Sequence, residues 1–414
     1  MKKLVSFFIC FVLAFGCLVL TACSGGGYDG EVNVYNWGEY LSPGDDDTLD
    51  VIAEFEKRYN IKVNYTNFET NEELYNVLVN SNSSYDVIIP SDYMVERLRS
   101  EGMLEKIDFS NIPNYKNIDE KFRKSDFDPT GEYTVPYSWG VVALVYNTKM
   151  IPEGEITGFK DMWNPKYKQN VLMFNNSRDA MAIAMQTCDP PIDPGSDSFS
   201  SEDIDRATKK LIELKKCGSL KKYVMDQVFT EMEGSQSALA AYYAGDIYTM
   251  LDNNEDLSFC LPEEGSNLFI DSMCIPNCCQ NKENAELFIN FMCEAEIAAA
   301  NADYICYGTP NKAALELMDD DYKESPLCYP PQEYMDKCYT FTNIDDKIYS
   351  EMQEKFVKAC SSSAEVSSIE IKTTSVESKI AVAAILAAIV IAVIIIAALD
   401  IRKAIKNRGR IFKM

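Results

Sequence analysis

The residue types of this 414-residue chain suit the binding of a small molecule better than catalysis. Histidine is absent, so neither a Ser-His-Asp triad nor a Cys-His nucleophile can form. Aromatic residues make up 11% of the chain, and 64 acidic residues outnumber 39 basic ones. Aromatic faces attract cations, and carboxylates form ion pairs with them. We therefore expect a binding protein and not an enzyme.

Two groups of these residues follow predicted strands, at the place where an open α/β sheet binds its ligand. Trp37 and Tyr40 follow the segment EVNVY, which alternates in polarity, and Ser91 and Tyr93 follow the apolar segment YDVII. Asp92 is expected to cap the helix that begins there. Each group alone would more often be core packing. Their positions after two strands together predict a ligand cleft.

The sequence around these groups predicts a parallel sheet covered by helices. Strand-like segments alternate with segments in which apolar residues recur at helical spacing. This β-α-β-α-β order is typical of a parallel sheet with helices on its faces. The predicted strands are 31–35, 61–65 and 85–89, and the predicted helices are 49–59, 71–80 and a third that runs through Arg99.

The chain is too long for one ordinary core, so two lobes are expected. Residues 135–146 form a long extended segment, which is either one strand or a crossing from one lobe to the next. The later predicted elements are a short helix and loop at 159–168, a strand at 171–174, helices at 177–186, 201–216 and 281–292, and an extended segment at 268–275.

The N-terminus carries a secretion signal. Two lysines precede an apolar run that ends in the motif LTAC, as in a signal peptide. This motif resembles a bacterial lipobox, which implies cleavage before Cys23 and a lipid on its sulfur. An uncleaved anchor helix is the alternative. We expect a lipoprotein signal peptide at 1–22 and the lipidated cysteine with a flexible linker at 23–30.

The C-terminus predicts a transmembrane helix. Ala, Ile, Val and Leu fill residues 380–399, which is about the length that crosses a bilayer. A basic tail follows at 400–414, and positive charge favours the cytoplasmic side. Residues 361–379, rich in serine and threonine, predict a stalk. A buried core helix is the alternative for the apolar run. These patterns predict a cell-membrane protein whose main domain lies on the extracytoplasmic side and whose tail is cytoplasmic.

Charge and cysteine content exclude further classes. A net charge of −25 repels nucleic acid. Of the 14 cysteines, two lie in the signal and Cys23 is the lipid site, which leaves an odd number that cannot all pair within one chain. Most are expected to be small apolar core residues, and disulfides stay open. Cys274, Cys278 and Cys279 lack a second pair at zinc spacing, so we expect neither a metal nor a cofactor.

Several segments, taken together in their order along the chain, resemble the spermidine/putrescine-binding proteins of bacterial ABC importers. The segments are YNWGEYLSPG, YDVIIPSDYMVERLRSEGMLEKID, VPYSWGVVALVYN, DMWNPKYK, NSRDAM, FIDSMCIP and YGTPN. The resemblance implies an α/β periplasmic-binding-protein type II fold, in which two lobes close on a ligand about a hinge. It places lobe 1 at 31–137 and 271–307, and lobe 2 at 138–270 and 308–360. The predicted fold class is this two-lobed fold plus the C-terminal transmembrane helix.

The resemblance also implies the binding residues. The resemblance implies that the carboxylates of Asp179 and Asp271 bind ammonium groups of a polyamine. Without the resemblance, Asp179 could equally be an acid in the first turn of a helix, and Asp271 could be the cap of a turn. A buried ammonium group without a carboxylate partner costs several kcal/mol. Aromatic faces suit both the ammonium groups and the methylene spacers. The remaining implied site residues are Trp37, Tyr40, Ser91, Tyr93, Asn176, Tyr243, Phe269 and Tyr307.

Departures from the family pattern leave the ligand open. Gly38 replaces a hydroxyl residue after the tryptophan, and Asn176 stands where the family can have an aspartate. Tyr243 and Phe269 stand where it can have tryptophan. A C-terminal glutamine of the family has no clear match near Thr340. The choice between spermidine and putrescine is therefore not fixed by the sequence.

The implied partners are the permease subunits of an ABC importer and their cytoplasmic ATPase. The alternative function is the binding of ferric iron or another small cation, because the pair Tyr242-Tyr243 offers hard oxygen ligands. Against iron, a box of aromatic residues has no purpose around a small metal ion. A glycosidase built on paired carboxylates and a purely structural surface protein are further alternatives.

Overall fold

The first three strands form a small parallel sheet, as the β-α-β-α-β pattern predicts. The computed structural model describes residues 28–44, 48–80 and 84–362. In the central strand Val32 and Val34 are fully buried, because helices cover the sheet. The strands, in spatial order, are β2 (Ile61–Phe68), β1 (Gly30–Trp37) and β3 (Val87–Ile88).

Local signals set the ends of the first helix. Asp50 accepts a hydrogen bond from the backbone N–H of Ala53 at 2.8 Å, which satisfies one of the free donors of the first turn. Asn60 ends the helix in the left-handed conformation, with φ 53°. The helices of this region are α1 (Val51–Tyr59), α2 (Asn71–Asn80) and α3 (Asp92–Ser100).

The long extended segment is one continuous strand, β4 (Val135–Asn147). Its first half pairs antiparallel with β9 (Leu268–Met273). Its second half pairs antiparallel with β7 (Leu239–Tyr243) on one side and β8 (Leu257–Cys260) on the other. The strand therefore belongs to the second sheet while its beginning leads back towards the first.

The second sheet has the order β6-β5-β7-β4-β8, with β9 also paired to β4. Here β5 (Val171–Phe174) runs parallel to both β6 (Leu220–Val224) and β7. All four residues of β5 are fully buried, as expected for a central strand covered on both faces. The helices that follow along the chain are α4 (Ser177–Gln186), α5 (Ser201–Lys216), α6 (Gln227–Glu233) and α7 (Ala244–Asn253).

The chain returns to the first sheet directly after β9. Ile88 of β3 and Cys274 exchange two backbone hydrogen bonds, at 3.0 and 2.8 Å. A further crossing lies at Gly308, whose carbonyl accepts from the backbone N–H of Trp139 at 2.9 Å. A Cβ at Gly308 would lie 2.4 Å from the Trp139 ring, so only glycine allows this approach. The two sheets are thus joined at β4, at β9 and at Gly308, which gives the two-lobed α/β architecture expected from the sequence.

Among the remaining helices, the one at 282–292 packs on β1 and the one at 346–361 packs on α4 and α5. All eleven cysteines of the described residues are free thiols. Five are buried and six are partly exposed, so fewer than half are core residues, whereas most were expected to be. The last helices are α8 (Lys282–Met292), α9 (Ala295–Ile305), α10 (Lys312–Leu315), α11 (Asp320–Glu324), α12 (Gln332–Met335) and α13 (Asp346–Ser361).

One part of the predicted fold class needs correction, namely the C-terminal transmembrane helix. A span needs about 20 apolar residues. Within 28–44, 48–80 and 84–362, none of the helices is both long and apolar enough to cross a membrane. The structure therefore supports the two-lobed α/β fold without the transmembrane helix. The segments predicted as signal peptide, transmembrane helix and basic tail lie outside the described residues.

Candidate ligand-binding site

The ten side chains that the sequence predicts at a ligand site all line one cavity. The cavity comprises about 710 Å³ of space, part of which is open solvent. The structure brings all ten together, and their contact with a ligand stays a prediction. The ten are Trp37, Tyr40, Ser91, Tyr93, Asn176, Asp179, Tyr243, Phe269, Asp271 and Tyr307.

The cavity lies at the carboxyl ends of parallel strands from both sheets. Parallel strands end at the same edge of a sheet, where open α/β folds bind their ligands. Because the two sheets are joined through β4 and β9, their strand ends face a common space. In the first sheet Trp37 ends β1 and Tyr40 follows it, and Ser91 and Tyr93 follow β3. In the second sheet Asn176 and Asp179 follow β5, and Tyr243 ends β7.

Four aromatic rings form a continuous arc along the cavity. The ring centroids of Tyr40 and Tyr307 lie 5.2 Å apart, those of Tyr307 and Phe269 6.0 Å, and those of Phe269 and Tyr243 5.5 Å. Tyr307 lies directly on the backbone of Gly245, where a Cβ would be 2.4 Å from the ring. The arc offers an apolar track whose π faces also attract cations.

Trp37 and Tyr93 line the cavity from the first sheet. The Trp37 ring lies 4.5 Å from that of Phe68. The hydroxyl of Tyr93 donates to Glu72 at 3.0 Å, and the guanidinium of Arg178 lies 4.8 Å from the centre of the Tyr93 ring. One face of Tyr93 is therefore already occupied by a cation of the protein itself.

Asp271 presents a buried carboxylate to the cavity. Its side chain is 3% exposed. Oδ2 accepts a hydrogen bond from the hydroxyl of Tyr40 at 2.7 Å, whereas Oδ1 is buried and has no hydrogen-bond partner among the described residues. Burial raises the pKa of Asp271 to about 6, although the hydrogen bond from Tyr40 lowers it. The free oxygen can accept a hydrogen bond from a ligand donor.

Asp179 is held by two neighbours from the second sheet. Its Oδ2 accepts from the amide Nδ2 of Asn176 at 2.8 Å and from the hydroxyl of Tyr243 at 2.9 Å. Asn176 also caps α4, because its Oδ1 accepts the backbone N–H of Asp179 at 2.8 Å. Burial raises the pKa of Asp179 to about 6. Asn176 therefore orients the carboxylate as well as lining the cavity.

Asp92 does not cap its helix as expected. Ser91 occupies the N-cap position of α3, and Asp92 is the first helical residue, 1% exposed. One carboxylate oxygen accepts the backbone N–H of Tyr93 at 2.7 Å, and the other is buried with no hydrogen-bond partner within 28–44, 48–80 and 84–362. Burial raises the pKa of Asp92 to about 8. This acid lies behind the cavity wall rather than in it.

The sequence reasoning missed four further acids that line the cavity, namely Glu69, Glu72, Asp226 and Asp246. Asp226 follows β6, and Asp246 lies in the first turn of α7, just after β7. Their position after parallel strands was the signal that could have found them. Neither strand was recognised in the sequence, so the acids behind them were not singled out.

The tyrosine pair of the iron alternative is engaged with carboxylates. Tyr242 donates to Asp226 at 3.3 Å and Tyr243 donates to Asp179. Burial raises the pKa of both phenols well above the usual value, which disfavours the phenolate form that ferric iron prefers. Among the described residues, no group of three or more cysteines and acids is arranged to hold a metal ion.

Comparison with known proteins identifies relatives by sequence over most of the chain. Residues 50–330 match the family model of bacterial extracellular solute-binding proteins. The chain is 30% identical over 351 residues to a spermidine/putrescine-binding periplasmic protein of Salmonella typhimurium, covering 83% of this chain and 97% of that protein. Its Escherichia coli counterpart is 31% identical over 303 residues, covering 72% and 83%.

A solved structure shows the same fold. The spermidine/putrescine ABC transporter substrate-binding protein PotD from Streptococcus pneumoniae superposes with a TM-score of 0.66 at 30% identity. The match covers 80% of this chain and 98% of that protein. The similarity thus extends over almost the whole of the solved protein.

The names of these relatives correct the predicted location. Both are named as periplasmic proteins, and the described part of this chain contains no helix able to cross a membrane. A cell-membrane protein with a cytoplasmic C-terminal tail is therefore not supported. The predicted lipidation of Cys23 lies outside the described residues and stays a prediction.

Proposed function

The chain belongs to the family of bacterial extracellular solute-binding proteins, and on this basis we propose that it binds a polyamine, spermidine or putrescine, and delivers it to an ABC importer. The relatives are named for these ligands and for this transport system. The chain is a substrate-binding protein and not an enzyme. Its partners are the permease subunits and the ATPase that drives them.

The observation that carries the proposal is the unpartnered oxygen of Asp271. A buried carboxylate oxygen without a partner costs free energy, and a cationic donor would recover it. The pKa of about 6 leaves this group ionised at neutral pH, although burial disfavours the charge. An ammonium group of the ligand supplies both the hydrogen bond and the counter-charge.

The second carboxylate and the aromatic arc account for the rest of a polyamine. Asp179, fixed by Asn176 and Tyr243, pairs with another ammonium group. The methylene spacers then lie on the rings between Tyr40 and Tyr243, where apolar contact and cation–π attraction of about 0.5–2 kcal/mol per cation act together. A neutral molecule of the same shape would gain only the apolar part.

Ligand binding also explains the two-lobed architecture. The cavity takes side chains from both sheets, and the connections run through β4, β9 and Gly308. A ligand that contacts both lobes binds the closed arrangement better than the open one, so it shifts the population towards closure. The closed protein is then the form that a permease can distinguish from the empty one.

Calorimetric titration of the purified full chain with spermidine and with putrescine tests the proposal. We expect a dissociation constant in the micromolar range or tighter for at least one of them. Raising the salt concentration should weaken binding only modestly, because buried ion pairs are screened less than exposed ones.

1,4-Butanediol is the matched control ligand, since it has the carbon chain of putrescine with hydroxyl groups in place of the ammonium groups. We expect no measurable heat with the diol. If both polyamines give no heat, or if the diol binds as tightly as putrescine, recognition of ammonium groups is the wrong function for this cavity.

A further inference from the structure

A buried arginine lies against the wall of the ligand cavity. Arg178 is the second residue of α4 and is 3% exposed. Its guanidinium carbon lies 4.8 Å from the centre of the Tyr93 ring and 4.5 Å from the centre of the Phe341 ring. Both rings line the cavity, and a ring face attracts a cation at such distances. The wall of the cavity thus already holds a cation that belongs to the protein.

Arg178 lacks the partners that a buried guanidinium normally has. Nη2 donates to the carbonyl oxygen of Thr342 at 3.1 Å, whereas Nε and Nη1 are buried and have no hydrogen-bond partner in the part of the chain that the structure describes. None of the salt bridges within 28–44, 48–80 and 84–362 includes Arg178. Buried charges are normally paired, because an unpaired charge costs free energy. A structural ion pair therefore does not explain this arginine.

The charge of Arg178 acts on the carboxylate that follows it in the sequence. Burial raises the pKa of Asp179 to about 6, hydrogen bonds from Asn176 and Tyr243 lower it, and the positive charge of Arg178 also lowers it. The polyamine function assigns an ammonium group of the ligand to this same carboxylate. Two positive charges near one carboxylate repel each other, and the repulsion is strong where water is excluded. An ammonium group therefore binds Asp179 against the charge of Arg178.

The aromatic corner keeps the guanidinium in place when a ligand enters. The rings of Tyr93 and Phe341 meet edge-on, with their centroids 5.8 Å apart. Tyr93 is fixed in turn, because its hydroxyl donates to Glu72 at 3.0 Å. Arg178 cannot swing away without losing both ring contacts and its hydrogen bond to Thr342. The repulsion is therefore a permanent property of the cavity.

We propose that Arg178 is a resident cation that limits the affinity of this cavity for polyamines. The proposal rests on the polyamine function above. Removing the positive charge while keeping the length of the side chain should strengthen binding, because the ammonium group at Asp179 then meets the carboxylate alone. This role fits a transport protein, since a binding protein must also release its ligand, and differences in affinity lie mostly in the rate of dissociation.

Calorimetric titration of the full chain with spermidine and with putrescine tests the proposal in the variants R178Q and R178M. Glutamine can still donate to the carbonyl of Thr342, and methionine can still pack on both rings, but neither carries a charge. We expect each variant to bind both polyamines about three- to ten-fold more tightly than the wild type, with slower dissociation in stopped-flow measurements. R178K should gain less, because it keeps a positive charge.

R58Q is the matched control for the loss of one guanidinium. Arg58 lies 5.4 Å from the centre of the Phe291 ring, outside the cavity. The substitution changes the net charge by the same amount as R178Q and also removes a contact between a cation and an aromatic ring. We expect R58Q to change the affinity for neither polyamine.

A double-mutant cycle with D179N separates repulsion from a purely structural role. D179N removes the carboxylate at which the two positive charges meet, so the gain from R178Q should fall below about two-fold in that background. Melting curves show which variants are folded, and one folded uncharged variant suffices. The proposal is overturned if the folded uncharged variants bind polyamines no more tightly than the wild type, if R58Q gives the same gain, or if the gain persists in D179N. Failure of the polyamine function itself would look different, because the wild type and every variant would then bind neither amine.

Discussion

Replacing Asp271 by asparagine removes one negative charge while it keeps the shape of the side chain. The asparagine oxygen can still accept the hydroxyl of Tyr40, which now lies 2.7 Å from Oδ2 of Asp271. The other oxygen, which has no hydrogen-bond partner in the part of the chain that the structure describes, becomes an amide group that repels an ammonium ion. The substitution therefore acts on the ligand contact and leaves the internal hydrogen bond in place.

The expected loss of affinity follows from the burial of this group. A hydrogen bond to a charged group contributes about 1.5–3 kcal/mol, and removing one partner of a buried ion pair costs about 3–5 kcal/mol. A loss of about 2–4 kcal/mol corresponds to a dissociation constant about 30- to 1,000-fold weaker. The ligand-free protein changes in the opposite direction. Ionising Asp271, with its pKa raised from 3.8 to about 6, costs about 3 kcal/mol, so D271N should melt at a higher temperature than the wild type at pH 8.

The assay pairs calorimetry of polyamine binding with thermal melting of the ligand-free protein at pH 8. D126N, which changes an exposed aspartate, is the matched control and should alter neither quantity. A dissociation constant for D271N within three-fold of the wild type would refute the assigned charge pairing. A lower melting temperature for ligand-free D271N would refute the argument that this carboxylate is costly to ionise.

Two further predictions concern pH and closure. Asp179 and Asp271 both have a pKa raised to about 6 by burial, so the folded protein binds more protons than the unfolded one between about pH 4 and 6. The stability of the ligand-free protein should fall as pH rises through this window, whereas polyamine affinity should rise because binding needs the ionised carboxylates. Melting curves and calorimetric titrations at pH 5 and pH 8 measure the two trends. If stability and affinity change in the same direction, the prediction is contradicted. R97Q should speed polyamine dissociation about three- to ten-fold in stopped-flow measurements. The substitution removes an ion pair with Asp346 at 3.2 Å and a cation–π contact with Tyr349 at 4.8 Å, which join α3 to α13. Both contacts are partly exposed, so each is of modest strength. An unchanged dissociation rate would show that these contacts do not hold the closed form.

The sequence by itself determined those elements whose local pattern is strong. The predicted strand at 171–174 and the helices at 71–80, 177–186 and 201–216 have the same bounds in the structure. In the last of these the start is fixed by Ser200, whose hydroxyl and backbone form a capping box with the third helical residue. Such signals lie within a few residues of one another, so no tertiary information is needed to read them.

The sequence also determined that aromatic residues follow the strands of the first sheet, and the family resemblance brought together ten residues that line one cavity. What it could not determine is which other strand ends meet there. The strands β6 and β7 have five residues each, and neither was predicted. Their place in the sheet depends on pairing with β5, which is distant in sequence.

Only the tertiary structure decided how the charged groups behave. The free oxygen of Asp271 and the double role of Asn176 follow from neighbours that come from different elements. Asp226 and Asp246 reach the same cavity because β6 and β7 flank β5. Burial then sets the charge of each acid, and burial depends on packing across the whole lobe, which no local pattern in the sequence encodes.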